Sequence, residues 1–265
     1  MITINNANFD IKKIAESGQC FRMNKEGDHF VNIAKGKIIR IYENKLDCTK
    51  SEYNSFWIGY FDLESDYSAF LDKIPKSDKF LTDAAEFGRG IRILRQDPWE
   101  MLISFIISQR KSIPAIKTAI ESLCRNYGDI ISESQEDYVF AFPTVSRLAN
   151  ASENTLKECG LGYRVPYVLS AARMVENGDL DLEKIAKLSD TELNAELMRV
   201  CGVGKKVANC VSLFAYHRIA AFPIDVWIAK VLESKYNNDF PFELYQGFAG
   251  VIQQYMFYFA RSNKI

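Results

Sequence analysis

Two lysines stand side by side in GVGKKVANCV, residues 202–211, where the pattern predicts a helix to begin. The amino end of a helix carries partial positive charge, so cations are disfavoured there. Val207, Val211 and Phe214 fall at i, i+4 and i+7 and must face a core. Lys205 shares its face with Asn209 and Ser212, a polar side expected to turn to solvent or to an anion. Lys206 shares its face with Cys210 and Leu213, a half-apolar side that should border a pocket. The two lysines thus point about 100° apart. Lys205 is explained by an anion contact or a solvated charge. Lys206 is the odd one: beside apolar side chains at a positive helix end its cation is destabilised, and a neutral amine is a nucleophile able to form a Schiff base. Downstream, FPIDVW (222–227) sets Asp225 ahead of another helix. An N-cap is its simplest role. A carboxylate held there can also steady a developing cation, and the two roles can coexist.

The lysines belong to a larger pattern. ELMRVCGVGKKVANCVSLFAY (196–216) reads as helix, Gly202-Val203-Gly204, helix. Two glycines around a small apolar residue let the chain reverse tightly and let another backbone come close. The free amides at the second helix's start form a phosphate seat. This is a helix–hairpin–helix, which grips one DNA strand largely without reading sequence. A plain helical turn is the alternative, and the flanking amphipathic helices favour DNA.

The remaining elements must position this hairpin. FVNIA (30–34) and KIIRIYE (37–43) alternate as strands around a Lys-Gly-Lys turn, and CFRMN (20–24) precedes a Lys-Glu-Gly-Asp turn. FDIKKIAES (9–17) predicts a short helix closed by Gly18. From about residue 51 the period becomes helical. WEMLISFIISQ (99–109) is apolar nearly all round and so reads as a central helix, started by Asp97-Pro98. Further helices are expected over 113–128, from Pro166 to Asn177-Gly178, after a Ser189–Glu192 capping box, and over 242–262. The fold class is α+β: an amino-terminal antiparallel sheet domain over about 1–55, then a helical region over 56–265 with the hairpin at about 190–216.

Composition narrows the chemistry. The 265 residues carry a net charge of −1 and 48% hydrophobic residues, enough for a sizeable core and without the basic surplus of many nucleic-acid binders. DNA contacts must then come from a local patch or from backbone amides. Six scattered cysteines (Cys20, Cys48, Cys124, Cys159, Cys201, Cys210) form no CxxC pair, and only His29 and His217 are present. Free, mostly buried thiols are expected, with no zinc or iron–sulfur site and no metal or organic cofactor. No run of residues is apolar and long enough to span a bilayer, and the start lacks a secretory layout. The expectation is a soluble intracellular monomer, cytoplasmic or nucleoid-associated if prokaryotic, without a membrane partner.

At this point the chain resembles a known family. The hairpin with Lys206, followed by PIDVW with Asp225, is similar to the helix–hairpin–helix DNA glycosylases. SGQCFR (17–22), YFDL (60–63), IRILRQDPWEMLISFIIS (91–108), GLGYRVPYV (160–168) and FAGVIQQYMFYFA (248–260) resemble segments of the 8-oxoguanine DNA glycosylase/AP lyases. The resemblance runs in order from about residue 2 to 262. It implies a cleft between helical lobes that takes duplex DNA bearing 8-oxoguanine, flips the lesion, excises it through a Lys206 Schiff base and cleaves the strand by β-elimination. Asp225 would stabilise the oxocarbenium-like transition state. The Gly18 carbonyl would accept from N7–H of the lesion, a proton that guanine lacks. Gln253 would read the Watson–Crick edge, with Phe257 and Cys210 sandwiching the base. Gln253 and Phe257, like Lys206 and Cys210, stand at i, i+4 and could line one pocket.

Tyr163 matches the family's wedge and Arg164 a reader of the orphaned cytosine, while Gly202, Gly204 and Lys205 would hold the backbone. Three positions depart from the family pattern. Arg110 stands where an asparagine fills the vacated gap, leaving Gln109 or Arg110 as the filler. Ala115 stands where a second arginine would clasp cytosine, and Trp227 replaces a phosphate-contacting histidine. Weak preference for the opposite base is the expectation. The competing readings are a relative acting on another damaged base, against which Lys206 and the missing C-terminal cysteine cluster weigh, and a non-catalytic hairpin module.

Overall fold

The computed structural model describes residues 1–133 and 138–265. Five antiparallel strands form the amino-terminal sheet in the order β1-β5-β4-β3-β2: β1 Ile2–Thr3, β2 Met23–Glu26, β3 His29–Ala34, β4 Lys37–Tyr42 and β5 Lys45–Leu46. The two expected hairpin strands are present, paired through Phe30–Ile41 and Asn32–Ile39. One boundary differs: the strand expected over 20–24 begins only at Met23, because the preceding residues are held to the extended segment 91–96 by the Gln19 side chain on the Arg92 carbonyl and the Gln96 side chain on the Gln19 carbonyl. One face of the sheet buries Met23, Ile39, Ile41 and Leu46 against Ile14, Trp57, Tyr60 and Phe61. Each such side chain contributes roughly 1.5–3 kcal/mol by leaving water.

The helix Ile11–Glu16 is N-capped by Asp10 and stops at Ser17, with Gly18 beyond it in the left-handed region at φ +76°. The central helix spans Pro98–Ser108; the Asp97 carboxylate accepts from Glu100 N at 2.9 Å, and every side chain from Met101 to Ser108 is buried, as its all-round apolar pattern requires. Around it pack the helices Ile113–Tyr127, Val165–Glu176 and Lys205–Phe214. Ser189 and Glu192 close the expected capping box on Asp190–Met198. The expected helix over 242–262 is broken: a 3-10 turn covers Phe242–Tyr245, Gly247 takes φ +84°, and the terminal helix is Ala249–Asn263. Aromatic packing fixes the break, for Tyr245 is fully buried and Phe248 stacks on Phe70 at 5.1 Å. A small hairpin of Ile130–Glu133 with Tyr138–Phe140 follows the helix Ile113–Tyr127 and carries no clear alternation in the sequence. No helix among the described residues is long and apolar enough to cross a membrane.

Buried charge ties the two parts together. Arg92 is fully buried, stacks on Tyr67 at 4.1 Å and donates to the carbonyls of Asn8, Phe61, Asp62 and Ser65. Burial alone would raise the neighbouring Asp62 carboxyl. His217, the Arg95 guanidinium and the Ser65 hydroxyl outweigh burial and bring it down to about 2. The extended segment 91–96 is thereby held rigidly, and it is this segment that carries the loop around Gly18.

Candidate active site

The hairpin helix has the phase that its apolar stripe predicts. Val207, Val211 and Phe214 are buried, Lys205 is exposed, and Lys206 lies half-buried beside Cys210 and Leu213. Ser212 departs from the expected polar face: it is fully buried and its hydroxyl donates to Asn194 Oδ1 at 3.1 Å, tying the two hairpin helices together. Gly202 sits at φ +81°, and a Cβ there would come within 2.5 Å of the Tyr167 ring. Both the turn and the close approach therefore demand glycine. Gly204 starts the helix without a side-chain cap and faces open space, so its first-turn amides have no side-chain acceptor among the described residues.

Lys206, Cys210 and Asp225 converge. The Lys206 amine lies near the Cys210 thiol and stands 5.4 Å from the centroid of Phe105, a ring of the central helix. Burial raises the Cys210 thiol; the nearby Lys206 opposes this and Asp225 adds to it. Asp225 is the N-cap of Val226–Tyr236, its Oδ1 accepting from Trp227 N at 3.1 Å and Ile228 N at 2.9 Å. Burial raises its carboxyl, against the cap amides and the Lys206 charge. The cap role and closeness to the amine thus coexist in one side chain.

A second group of residues is tied to this one through the Pro223 carbonyl. A Cβ on Gly18 would stand 3.0 Å from Phe257 Cε1 and 3.2 Å from Ile113 Cδ1. Phe257 is backed by Arg261, whose guanidinium lies 5.6 Å from the ring centroid and donates to the Glu16 carbonyl. Gln253, one turn earlier, is buried and donates from Nε2 to the Pro223 carbonyl at 2.9 Å, two residues before Asp225. The structure therefore gathers Gly18, Phe257 and Gln253 on one side and Lys206, Cys210 and Asp225 on the other, linked through the Pro223 carbonyl.

Gln19 holds the Gly18 turn in place, a role that sequence pattern did not reveal. Its Nε2 donates to Ser17 Oγ and to the Arg92 carbonyl, both at 2.9 Å, its Oε1 accepts from Leu94 N at 2.9 Å, and its carbonyl accepts from Gln96 Nε2 at 2.8 Å. These partners lie more than seventy positions away, apart from Ser17, so no local periodicity signals them. Phe105, Ile113 and Arg261 were equally unmarked. An arginine four positions after Phe257 on the same helix face was the one available clue.

The expected gap-filling group clusters at the end of the central helix. Arg110 is exposed and has φ +52°, a left-handed conformation that asparagine tolerates better than arginine. Tyr163 is 51% exposed, as a wedge must be, and packs edge-on to Tyr167. Arg164 is buried instead. Its Nε and Nη2 donate to the Gln109 carbonyl, its Nη1 to the Leu161 carbonyl, and its guanidinium stacks over Tyr163 at 4.2 Å. Arg164 here holds the Gln109 turn and braces Tyr163. Ala115 occupies the first turn of its helix and Trp227 lies under Lys230 at 5.4 Å.

Comparison with known proteins agrees with this geometry. Residues 1–102 match the 8-oxoguanine DNA glycosylase N-terminal domain, and residues 103–239 match the HhH-GPD superfamily of base excision DNA repair proteins. The 8-oxoguanine glycosylase/lyase of Clostridium acetobutylicum, solved with double-stranded DNA containing cytosine opposite 8-oxoG, superimposes with a TM-score of 0.92 at 36% identity over 98% of this chain and 94% of that one. An N-glycosylase/DNA lyase of Saccharomyces cerevisiae is 35% identical over 67% of this chain, and one of Arabidopsis thaliana 33% identical over 80%. The matched region spans 50% and 62% of the length of those two relatives. The chain belongs to the 8-oxoguanine DNA glycosylase branch of the HhH-GPD superfamily of base excision DNA repair proteins.

Proposed function

We propose that this protein, acting as a monomer, excises 8-oxoguanine from duplex DNA and then cuts the strand at the resulting site. The convergence of the Lys206 amine with Cys210 and the half-buried Asp225, tied through Pro223 to Gln253 and Phe257, which with Gly18 would wall the base slot, is the observation that carries the reading. The lesion enters the slot flipped out of the stack, with Tyr163 in the gap it leaves. The deprotonated amine attacks C1′, the C1′–N9 bond breaks, and the base departs with the electron pair and takes up a proton. Asp225 stabilises the cationic sugar as that bond lengthens. The new amine then gives up a proton and the C1′–O4′ bond opens, O4′ taking a proton, which leaves the Schiff base; this makes the C2′ hydrogen acidic, its loss expels the 3′-phosphate by β-elimination, and water releases the lysine. Inside the slot the Gly18 carbonyl accepts the lesion's N7–H, and Gln253 pairs with the Watson–Crick edge. Gly202, Gly204 and Lys205 seat the DNA backbone on the hairpin's free amides.

Ala115 and the commitment of Arg164 to the Gln109 carbonyl favour weak dependence on the opposite base, since neither side chain is free to clasp cytosine. Borohydride trapping on duplexes containing 8-oxoguanine tests the whole reading. Wild type and Lys205→Gln are expected to form the covalent adduct, and Lys206→Gln to form none. An adduct lost with Lys205→Gln and kept with Lys206→Gln refutes the nucleophile. Comparable excision opposite all four bases is expected; strict dependence on cytosine refutes the argument from Ala115.

A further inference from the structure

Gln254, next to the proposed base reader, is 3% exposed on a helix that packs into the body, and none of the chemistry above uses it. Its Nε2 donates to Gln253 Oε1 at 3.0 Å, while Gln253 Nε2 donates to the Pro223 carbonyl at 2.9 Å. The direction of this chain is forced. A proline carbonyl can only accept, so the Gln253 atom beside it must be nitrogen. The other Gln253 atom is then oxygen, and whatever meets it must donate. Gln254 therefore has its Nε2 there, even though this leaves its own Oε1 buried with no partner among the described residues. Such an orphaned acceptor is unfavourable. An apolar side chain would avoid it, so the arrangement points to the donated bond as the reason for a glutamine at this position.

We infer that Gln254 is a positioning residue that fixes the plane of the Gln253 amide, whose polarity the Pro223 carbonyl sets, so that one Oε1 lone pair and one Nε2 hydrogen remain in fixed places for the N1–H and O6 of a guanine edge. The inference rests on Gln253 being the reader proposed above. With the amide pinned at both atoms, the presented pattern is acceptor beside donor. Adenine shows the reverse, an acceptor at N1 and a donor at N6, and is rejected. Pinned only at Pro223, the amide swings about its last torsion and the two patterns are told apart less well.

The test compares duplexes carrying 8-oxoguanine with duplexes carrying 8-oxoadenine, which keeps N7–H and differs at the Watson–Crick edge. Gln254→Met keeps length and removes the donor. Its preference for 8-oxoguanine is expected to fall by about tenfold, the worth of one well-made hydrogen bond. Its Tm should be unchanged or raised, and its β-elimination on a preformed abasic site unchanged. Gln254→Glu supplies a readout that packing alone cannot move, taken at each pH as a ratio to wild type so that the pH dependence of catalysis itself cancels. It should read like wild type near about pH 5, where a buried carboxylic acid keeps a proton to donate, and like Gln254→Met near about pH 8.5. Wild-type preference in Gln254→Met, or a pH-independent ratio in Gln254→Glu, overturns the role of Gln254 alone. A wild type that cleaves abasic sites and ignores 8-oxoguanine overturns the reading beneath it.

Discussion

Gly18→Ala probes the base slot with a single methyl group. At φ +76° an alanine is strained by about 1 kcal/mol relative to glycine, which in a chain of this size lowers Tm by roughly 2–4 °C. The larger effect is local. The new Cβ would lie 3.0 Å from Phe257 Cε1 and 3.2 Å from Ile113 Cδ1, closer than ordinary carbon contacts. Phe257 cannot yield freely, because Arg261 backs its ring and is itself held to the Glu16 carbonyl. The space comes instead out of the slot where the flipped base would stack. A displacement of a few tenths of an ångström is expected to cost about tenfold in excision, given that about 1 Å can cost a hundredfold. Single-turnover excision of 8-oxoguanine measures that loss. Strand cleavage at a preformed abasic site needs no base in the slot and should stay within about twofold of wild type. Equal loss of both activities, or excision at the wild-type rate, refutes the slot geometry.

Two further perturbations use carboxyls that burial raises. Asp225→Asn keeps an oxygen to cap Trp227 and Ile228 and removes a charge that burial disfavours. A raised carboxyl stabilises the fold at low pH and loses that contribution as pH rises, so the variant should unfold at an equal or higher denaturant concentration at pH ~8 while excision falls by about a hundredfold or more. A clear loss of stability would refute this account. Glu100, buried in the first turn of the central helix, is pushed up to about 7 by burial, with Asp97 adding and Arg22 opposing. From an ordinary 4.5 this amounts to about 3 kcal/mol, present below that value and lost as pH rises through about 7. Glu100→Gln should match wild type in urea unfolding at pH ~4.5 and exceed it by up to that amount at pH ~8; parallel curves refute it.

Local rules located most of the frame. Asp97-Pro98 and Ser189–Glu192 marked helix starts because caps act within one turn, and the phase of Val207, Val211 and Phe214 was enough to separate Lys206 from Lys205. Contacts between distant segments were not legible. Ser212 looked solvent-facing until its partner Asn194 was known, and Arg164 looked free until the Gln109 carbonyl, fifty-five positions away, claimed it. Gln19 gave no sign of its role because its partners belong to an extended segment without periodicity. The helix expected over 242–262 ran through Gly247 because propensity is a weak signal beside the buried aromatic anchors Tyr245 and Phe248.

Gly202 has a mechanical consequence. Its missing side chain lets the hairpin turn rest on the Tyr167 ring, and Tyr167 in turn touches Tyr163. The jaw that would clasp the DNA backbone and the blade that would enter the stack thus meet on one ring, like the two arms of a caliper. With the two ends coupled through one ring, a shift of either would carry the other, and the bend and unstacking would fall to the duplex, whose deformability would set the work of exposing a lesion.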